Sequence, residues 1–338
     1  MRDRLAGFAP PGTLDLVFRI VLAVAVYIGF AVTVPGFATS SNMYATLEAC
    51  VPIGLVALGV GATIIAGELD LSVGAVATCA GILVVNWIDI GTVPAIIVVT
   101  VAGLCYGVLQ GLVIALLKIP SIVFTLGTLI ALGGASFLLS GEQVVTLSVA
   151  QLSISTDIST QFWIFSPGSI TLIVMVVLVG LLLGYTRIGR EVYAVGGARL
   201  ESRAAGVAEI RPIVLVFALS GLLAALAGVL ASLRSGSAGP RAYDTLLFSA
   251  VTAVLVGGVS LYGGRGKVLG IAVGVLTLQF LLAALALESA PFWASDLATG
   301  SVLLAFLVIE LAEEQSPARQ ALARLLLAHR QRRRPSPS

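Results

Sequence analysis

The 338-residue chain has one histidine, three cysteines and little charge: Asp, Glu, Lys and Arg make up 11% of it, against about 25% in an ordinary globular domain. Each shortage excludes something. The lone His329 lies in a basic C-terminal stretch, so neither a Ser-His-Asp triad nor a histidine-based metal site can be assembled in the apolar body of the chain. Cys50, Cys79 and Cys105 sit in apolar runs without metal-ligand spacing, which makes them small buried hydrophobes and gives no disulfide framework. A phosphate-cradling loop is missing too. The only Gly-Lys pair, Gly266-Lys267, has Leu261 where the first glycine of a P-loop belongs and Val268 where it needs Ser or Thr. The chain is expected to hold no cofactor and to be no enzyme.

What is present is hydrophobicity, at 58% of residues and spread along almost the whole length. That leaves no room for a soluble domain of normal size and predicts an all-α, polytopic membrane protein. Gly, Pro and charge punctuation divides the chain into about ten spans. They cover residues 14–34, 46–66, 73–88, 92–117, 121–140, 169–186, 212–233, 246–262, 268–288 and 297–311. The third and eighth are short for a full crossing, as broken or protein-shielded helices are; if both are re-entrant, an eight-span arrangement results. The corresponding organisation is a cytoplasmic N-terminus over 1–13, a transmembrane body over 14–311 and a cytoplasmic tail over 312–338.

Orientation follows from the cations. With the N-terminus inside, Arg2, Arg4, Arg19, Lys118, Arg187, Arg190, Arg199, Arg203, Arg211, Arg265, Lys267 and the six arginines from Arg319 to Arg334 all fall inside, and only Arg234 and Arg241 fall outside. Both termini are then cytoplasmic. Two groups of five spans begin on opposite sides, the parity an inverted 5+5 arrangement needs, although no sequence self-similarity accompanies it. Gly103, Gly107 and Gly111, Gly180 with Gly184, and Gly270 with Gly274 recur at the four-residue spacing that lets helix backbones approach.

The run Gly67-Glu68-Leu69-Asp70-Leu71-Ser72-Val73-Gly74 places two carboxylates inside the apolar tract. Ionisable groups at membrane depth face a cavity, a partner or a pathway, and flanking glycines with a hydroxyl suit a broken membrane helix near 67–72. Asp70 admits two roles: contact with a transported solute, or capping of the backbone N–H groups freed at the break. Residues 187–211 form the longest internal connection, whose middle, Ala198 to Ala205, can be a short amphipathic helix that docks on another protein; the plainer reading is a loop of solvated positive charges. Arg234 and Arg241 outside either meet acidic patches of a docking protein or are solvated. Ser316 to Arg334 predicts a basic amphipathic helix lying on the anionic inner leaflet, with no role in nucleic-acid binding.

Five motifs in order carry a resemblance. Asp-Leu-Ser-Val-Gly at 70–74, Thr125-Leu126-Gly127-Thr128, Gly-Arg-x-x-Tyr-Ala-x-Gly-Gly at 189–197, Ser220-Gly221-Leu222, and Gly257-Gly258-x-Ser260-Leu261-x-Gly263-Gly264-Arg265-Gly266 make the chain resemble the permease subunits of ribose-, xylose- and arabinose-type ABC importers. The likeness implies a bacterial inner-membrane permease paired with a second copy or a paralogue. It also implies a periplasmic binding protein that delivers sugar and an ATPase subunit that uses ATP and Mg. On that basis Glu68, Asp70, Ser72, Thr125 and Thr128 are candidates for lining the path or supporting the break. Arg187, Gly189, Arg190, Tyr193, Gly196, Gly197 and Arg203 are candidates for coupling to the ATPase, and Arg234 and Arg241 for binding-protein docking. The chain departs from the usual pattern at Gly133, Leu247 and Ser249. Two other readings stand beside this one: an ion-coupled secondary transporter with Glu68 or Asp70 carrying a proton, and a structural or sensory membrane protein.

Overall fold

A computed structural model describes residues 13–314. The N-terminal residues before Thr13 and the predicted basic tail helix from Ser316 lie outside the described residues. Those described form thirteen α-helices: α1 Thr13–Thr33, α2 Ser40–Ile65, α3 Val73–Asn86, α4 Thr92–Leu117, α5 Ser121–Ser140, α6 Leu152–Ile158, α7 Pro167–Tyr185, α8 Arg187–Gly197, α9 Arg199–Ala204, α10 Ile210–Ser235, α11 Leu246–Val256, α12 Val268–Leu287 and α13 Phe292–Glu314. Eight are long and apolar enough to cross a membrane. The other two predicted spans, the third and eighth, are the 14-residue α3 and the 11-residue α11, which at 1.5 Å per residue fall short of a hydrocarbon core of about 30 Å.

Local chemistry sets the ends. Ser166 accepts the Ser169 N–H at 3.0 Å while Ser169 Oγ accepts the Ser166 N–H at 2.8 Å, with Pro167 in the first turn of α7. Thr186 caps α8 by accepting the Gly189 N–H at 3.0 Å. Gly141 and Gly236 close α5 and α10 in the left-handed region, at φ +61° and +68°. Residues 187–211 contain more helix than the sequence suggested. The predicted helix over 198–205 appears as α9, and the segment before it is α8, whose buried Val192 and Val195 lie three residues apart on one face.

α2 and α10 form the buried centre, with 83% and 72% of their apolar stretches inside the protein, whereas α1 and α13 sit at the periphery with 6% each. Because lipid is as apolar as leucine, close packing of small residues does the work that the hydrophobic effect does in water. On α4, an added Cβ at Gly103, Gly107 or Gly111 would lie 2.3, 2.2 or 2.9 Å from atoms of α10; on α12, one at Gly270 or Gly274 would lie 2.3 or 2.0 Å from backbone of α11 and its C-cap. Among the described residues Gly184 has nothing within 4 Å and Gly180 makes only ordinary contact, so that repeat is no packing seam among them.

Two sets of connections gather at opposite ends of the bundle. At one, β1 (Val145–Thr146) pairs antiparallel with β2 (Ser237–Ala238), tying the 141–166 segment to the end of α10. At the other, the end of α2, the end of α8 and the glycine-rich loop after α11 meet. Gly107→Val, forced against the Phe217 carbonyl, is expected to destabilise the fold by about 2–3 kcal/mol, while Gly184→Ala is neutral. Thermal unfolding of the two variants in detergent compares them.

Candidate functional site

α2 stops at Ile65, Gly67 turns the chain at φ +77°, and α3 resumes at Val73. Gly67 and Glu68 still donate to the Ile64 and Thr63 carbonyls of α2, each at 2.9 Å, but Leu69 lies beyond the reach of helical hydrogen bonds, and a buried backbone polar group without a partner costs roughly several kcal/mol in a membrane. Neighbouring helices supply the partners. The Leu69 N–H donates to Ser121 Oγ at 3.2 Å, and the Leu69 carbonyl accepts from Thr125 Oγ1 at 3.2 Å. Both hydroxyls stand in the first turns of α5, so one helix end satisfies both backbone polar groups of Leu69. Thr128, the other hydroxyl of that motif, donates to the Thr125 carbonyl at 3.0 Å and is one turn removed from the break.

Asp70 is 2% exposed and is met by donors on both oxygens. Oδ1 accepts from the Ser72 N–H at 3.0 Å, Ser72 Oγ at 2.7 Å and Gln110 Nε2 at 3.1 Å; Oδ2 accepts from Ser220 Oγ at 2.7 Å. The Tyr106 hydroxyl donates to Ser72 Oγ at 3.3 Å. One carboxylate thus joins the break to α4 through Gln110 and to α10 through Ser220, and caps the chain where α3 begins. A buried charge is tolerated when hydrogen-bonded in this manner. Gln110 escaped the sequence reading, although an uncharged amide in an apolar tract is a visible signal. Ser220 was noticed only as part of a motif.

Glu68, two residues away, points elsewhere. Its carboxylate pairs with Arg199 at the start of α9, and Arg199 also faces Glu209 at 3.9 Å, which is held by Arg203 Nη2 at 2.7 Å. Glycines make the same junction at the backbone level. A Cβ on Gly196 would lie 1.9 Å from the Ile65 carbonyl and 2.9 Å from the Gly264 nitrogen, and one on Gly264 would lie 2.3 Å from Gly197 Cα. The Gly264 N–H donates to the Ile65 carbonyl at 2.8 Å. Tyr193 donates its hydroxyl to the Gly266 carbonyl at 3.0 Å, and burial raises its pKa, keeping the phenol in the donor form. Glu310 of α13 accepts from Ser260 Oγ and the Leu261 N–H, each at 2.8 Å, holding the far side of that loop. Gly189 is buried at the α7–α8 corner, where a Cβ would strike the Leu183 carbonyl at 2.3 Å. Arg187 and Arg190 stay on the exposed face of α8, Arg187 within 3.3 Å of Glu191.

The remaining two candidates are at the opposite end. Arg234 is turned onto Glu48, a 3%-exposed carboxylate at 3.0 Å that also accepts from Ser166 Oγ. This pair borders a cavity of about 330 Å³ lined by Val51, Pro52, Ile158 and Leu230. Arg241 is more exposed; it lies 5.9 Å from the Phe137 ring centroid and 3.8 Å from Asp244. Glu48, an acidic residue in the second apolar tract, was missed in the sequence, as were Glu209 and Glu310.

Asp70→Asn puts an N–H donor where the carboxylate accepts and leaves buried donors unpaired. It is expected to cost about 2–4 kcal/mol, and Ser220→Ala about 1 kcal/mol, both measured by thermal unfolding of the purified protein.

Comparison with known proteins agrees with the motif order. Residues 42–307 match the family model described as branched-chain amino acid transport system / permease component. The L-arabinose transport system permease protein AraH of Escherichia coli (strain K12) is 32% identical over 302 residues, covering 88% of this chain and 90% of its own length. The fructose import permease protein FrcC of Rhizobium meliloti is 31% identical, covering 76% and 74%. The ribose import permease protein RbsC of Escherichia coli (strain K12) is 28% identical, covering 78% and 84%. No solved structure matches. With eight helices long and apolar enough to span, the chain is a multi-pass inner-membrane protein and belongs to this permease family of ABC importers.

Proposed function

We propose that the chain is the membrane subunit of an ATP-driven importer that carries a monosaccharide or related small polar solute from a periplasmic binding protein to the cytoplasm. ATP and Mg act on a separate ATPase subunit, and a second permease copy or a paralogue completes the path. The observation that carries this reading is the docking of the end of α8, backbone against backbone, on the end of α2 and the break, with α9 joined to the break through Arg199. A short amphipathic helix with Arg187 and Arg190 exposed and Val192 and Val195 buried has one face for the permease and one for a partner. The relatives' names point to sugars as cargo.

In this mechanism Asp70, Ser72, Gln110 and Ser220 hold the break in shape, and Ser121 and Thr125 keep its backbone satisfied. The break then moves as a body when α8 and α9 are displaced, and affinity for the sugar resides in the binding protein. Arg241, exposed at the end away from the break, suits docking of an acidic surface on that protein better than Arg234, whose guanidinium is engaged by Glu48. The ion-coupled alternative is weakened by two observations: Asp70 is enclosed by four donors, and Glu68 is paired with Arg199.

Proteoliposomes holding the permease with its ATPase subunit, supplied with the binding protein, test this with radiolabelled L-arabinose, D-ribose and D-fructose. Uptake of at least one sugar should require ATP and the binding protein and persist when the proton gradient is collapsed. Uptake driven by a proton gradient without ATP would establish the alternative.

A further inference from the structure

The contacts around Glu68 close a ring. The break is bonded through Asp70 to Ser220 of α10; α10 is preceded by Glu209; Glu209 faces Arg199 and Arg203; and Arg199 returns to Glu68 in the break. The four charges alternate in sign from the break to the base of α10. Arg199 is the only one of the four that touches both neighbours across chain segments, reaching Glu68 from one side and Glu209 from the other. Glu68 is 8% exposed at its side chain and Arg199 43%, so solvent and salt screen this pair less than an open surface pair.

The glycine junction beside this ring has a different mechanical character. Gly196 against Ile65 and Gly67, and Gly197 against Gly264, are steric contacts. Such contacts resist compression and offer only weak dispersion attraction against separation. A push of α8–α9 toward the break is therefore transmitted by the glycines alone. A pull is not, and across this seam the attractive tie contributed by α9 is the Glu68–Arg199 pair.

Resting on the importer reading above, we infer that Arg199 is a positioning residue that tethers α8–α9 to the break and to the base of α10. It thereby carries the return stroke of the transport cycle, while the glycine contacts carry the forward stroke. This assigns Glu68 to the coupling machinery and removes it from the solute path. Tyr193, bonded to Gly266, ties α8 to the glycine-rich loop, whose Gly264 N–H bonds the Ile65 carbonyl; that indirect route ends on α2 and leaves residues 67–72 to Arg199.

Hydrogen–deuterium exchange of the full-length protein in lipid nanodiscs reads the tether directly, because the amides of Gly67, Glu68, Leu69 and Ser72 are all hydrogen-bonded. In Arg199→Gln, exchange over 67–72 should rise about fivefold or more while amides of the α4–α10 packing stay unchanged. Glu68→Gln should do the same, the double variant should be no worse than either single one, and Arg199→Lys should restore most of the protection. Unchanged exchange over 67–72 in Arg199→Gln, or additive effects in the double variant, overturns the tether. With the ATPase subunit bound, ATP and vanadate should alter exchange in 187–206 and in 67–72 of both wild type and Arg199→Gln. On nucleotide removal only the wild type should recover at 67–72 with its original rate, and equal recovery in the variant overturns the return-stroke role. A wild-type complex in which ATP changes neither segment refutes the importer reading, and the exchange results for the isolated chain then still decide whether the tether exists.

Discussion

A bilayer supplies no water to a backbone that leaves the helix, and this constraint organises the molecule around residues 66–72. Every polar group released by the end of α2 has to find a partner: Gly67 and Glu68 donate back to α2, and Leu69 is met by another helix. The hydroxyls of Ser121 and Thr125 take the Leu69 peptide, and the Asp70 carboxylate takes the Ser72 N–H and fixes Gln110 and Ser220. Three helices, α4, α5 and α10, are thereby registered to one short irregular segment. The central place of α10 follows, since it supplies a hydrogen bond to the break and packs backbone to backbone against both α4 and α3.

Glycine does the complementary work. Without side chains, Gly103, Gly107 and Gly111 let α4 approach α10, and Gly196, Gly197, Gly263 and Gly264 let three connections touch at the backbone. Polar side chains pull these elements together and glycines let them arrive, so neither set holds the arrangement alone. The packed core around α2 and α10 contrasts with the exposed α1 and α13, whose outward leucines and valines are suited to lipid. At the far end, the two-stranded β1–β2 pairing and the Glu48–Arg234–Ser166 cluster close the bundle by the same logic of paired buried polar groups.

Much of the fold was legible in the sequence because membrane spans are long and apolar and are bounded by Gly, Pro and charge. The segments 92–117 and 121–140 appear with those limits as α4 and α5. The shortness of the third and eighth segments was visible as well, and it corresponds to helices too short to cross. Asp70 announced the break because a carboxylate in an apolar tract is costly. The site's other half was not legible. Glu68 and Asp70 look equivalent in the sequence, two residues apart, yet one faces Arg199 and the other Gln110 and Ser220, because the irregular backbone between α2 and α3 has no fixed side-chain period and each carboxylate meets whichever helix end lies beside it.

The sequence by itself determined that this is a polytopic helical membrane protein with a broken helix near residue 70, and its ordered motifs pointed to the permease family. Those properties depend on composition, on segment length and on residue types in chain order. Only the tertiary structure decided which distant residues complete the break, that Arg234 is turned onto Glu48, that Gly180 and Gly184 form no seam among the described residues, and that Glu68 is tied to α9. The physical reason is common to all four. A hydrogen bond, an ion pair or a backbone contact between residues such as Glu68 and Arg199 depends on where two helices end in space, and the periodicity of either segment carries no information about the other.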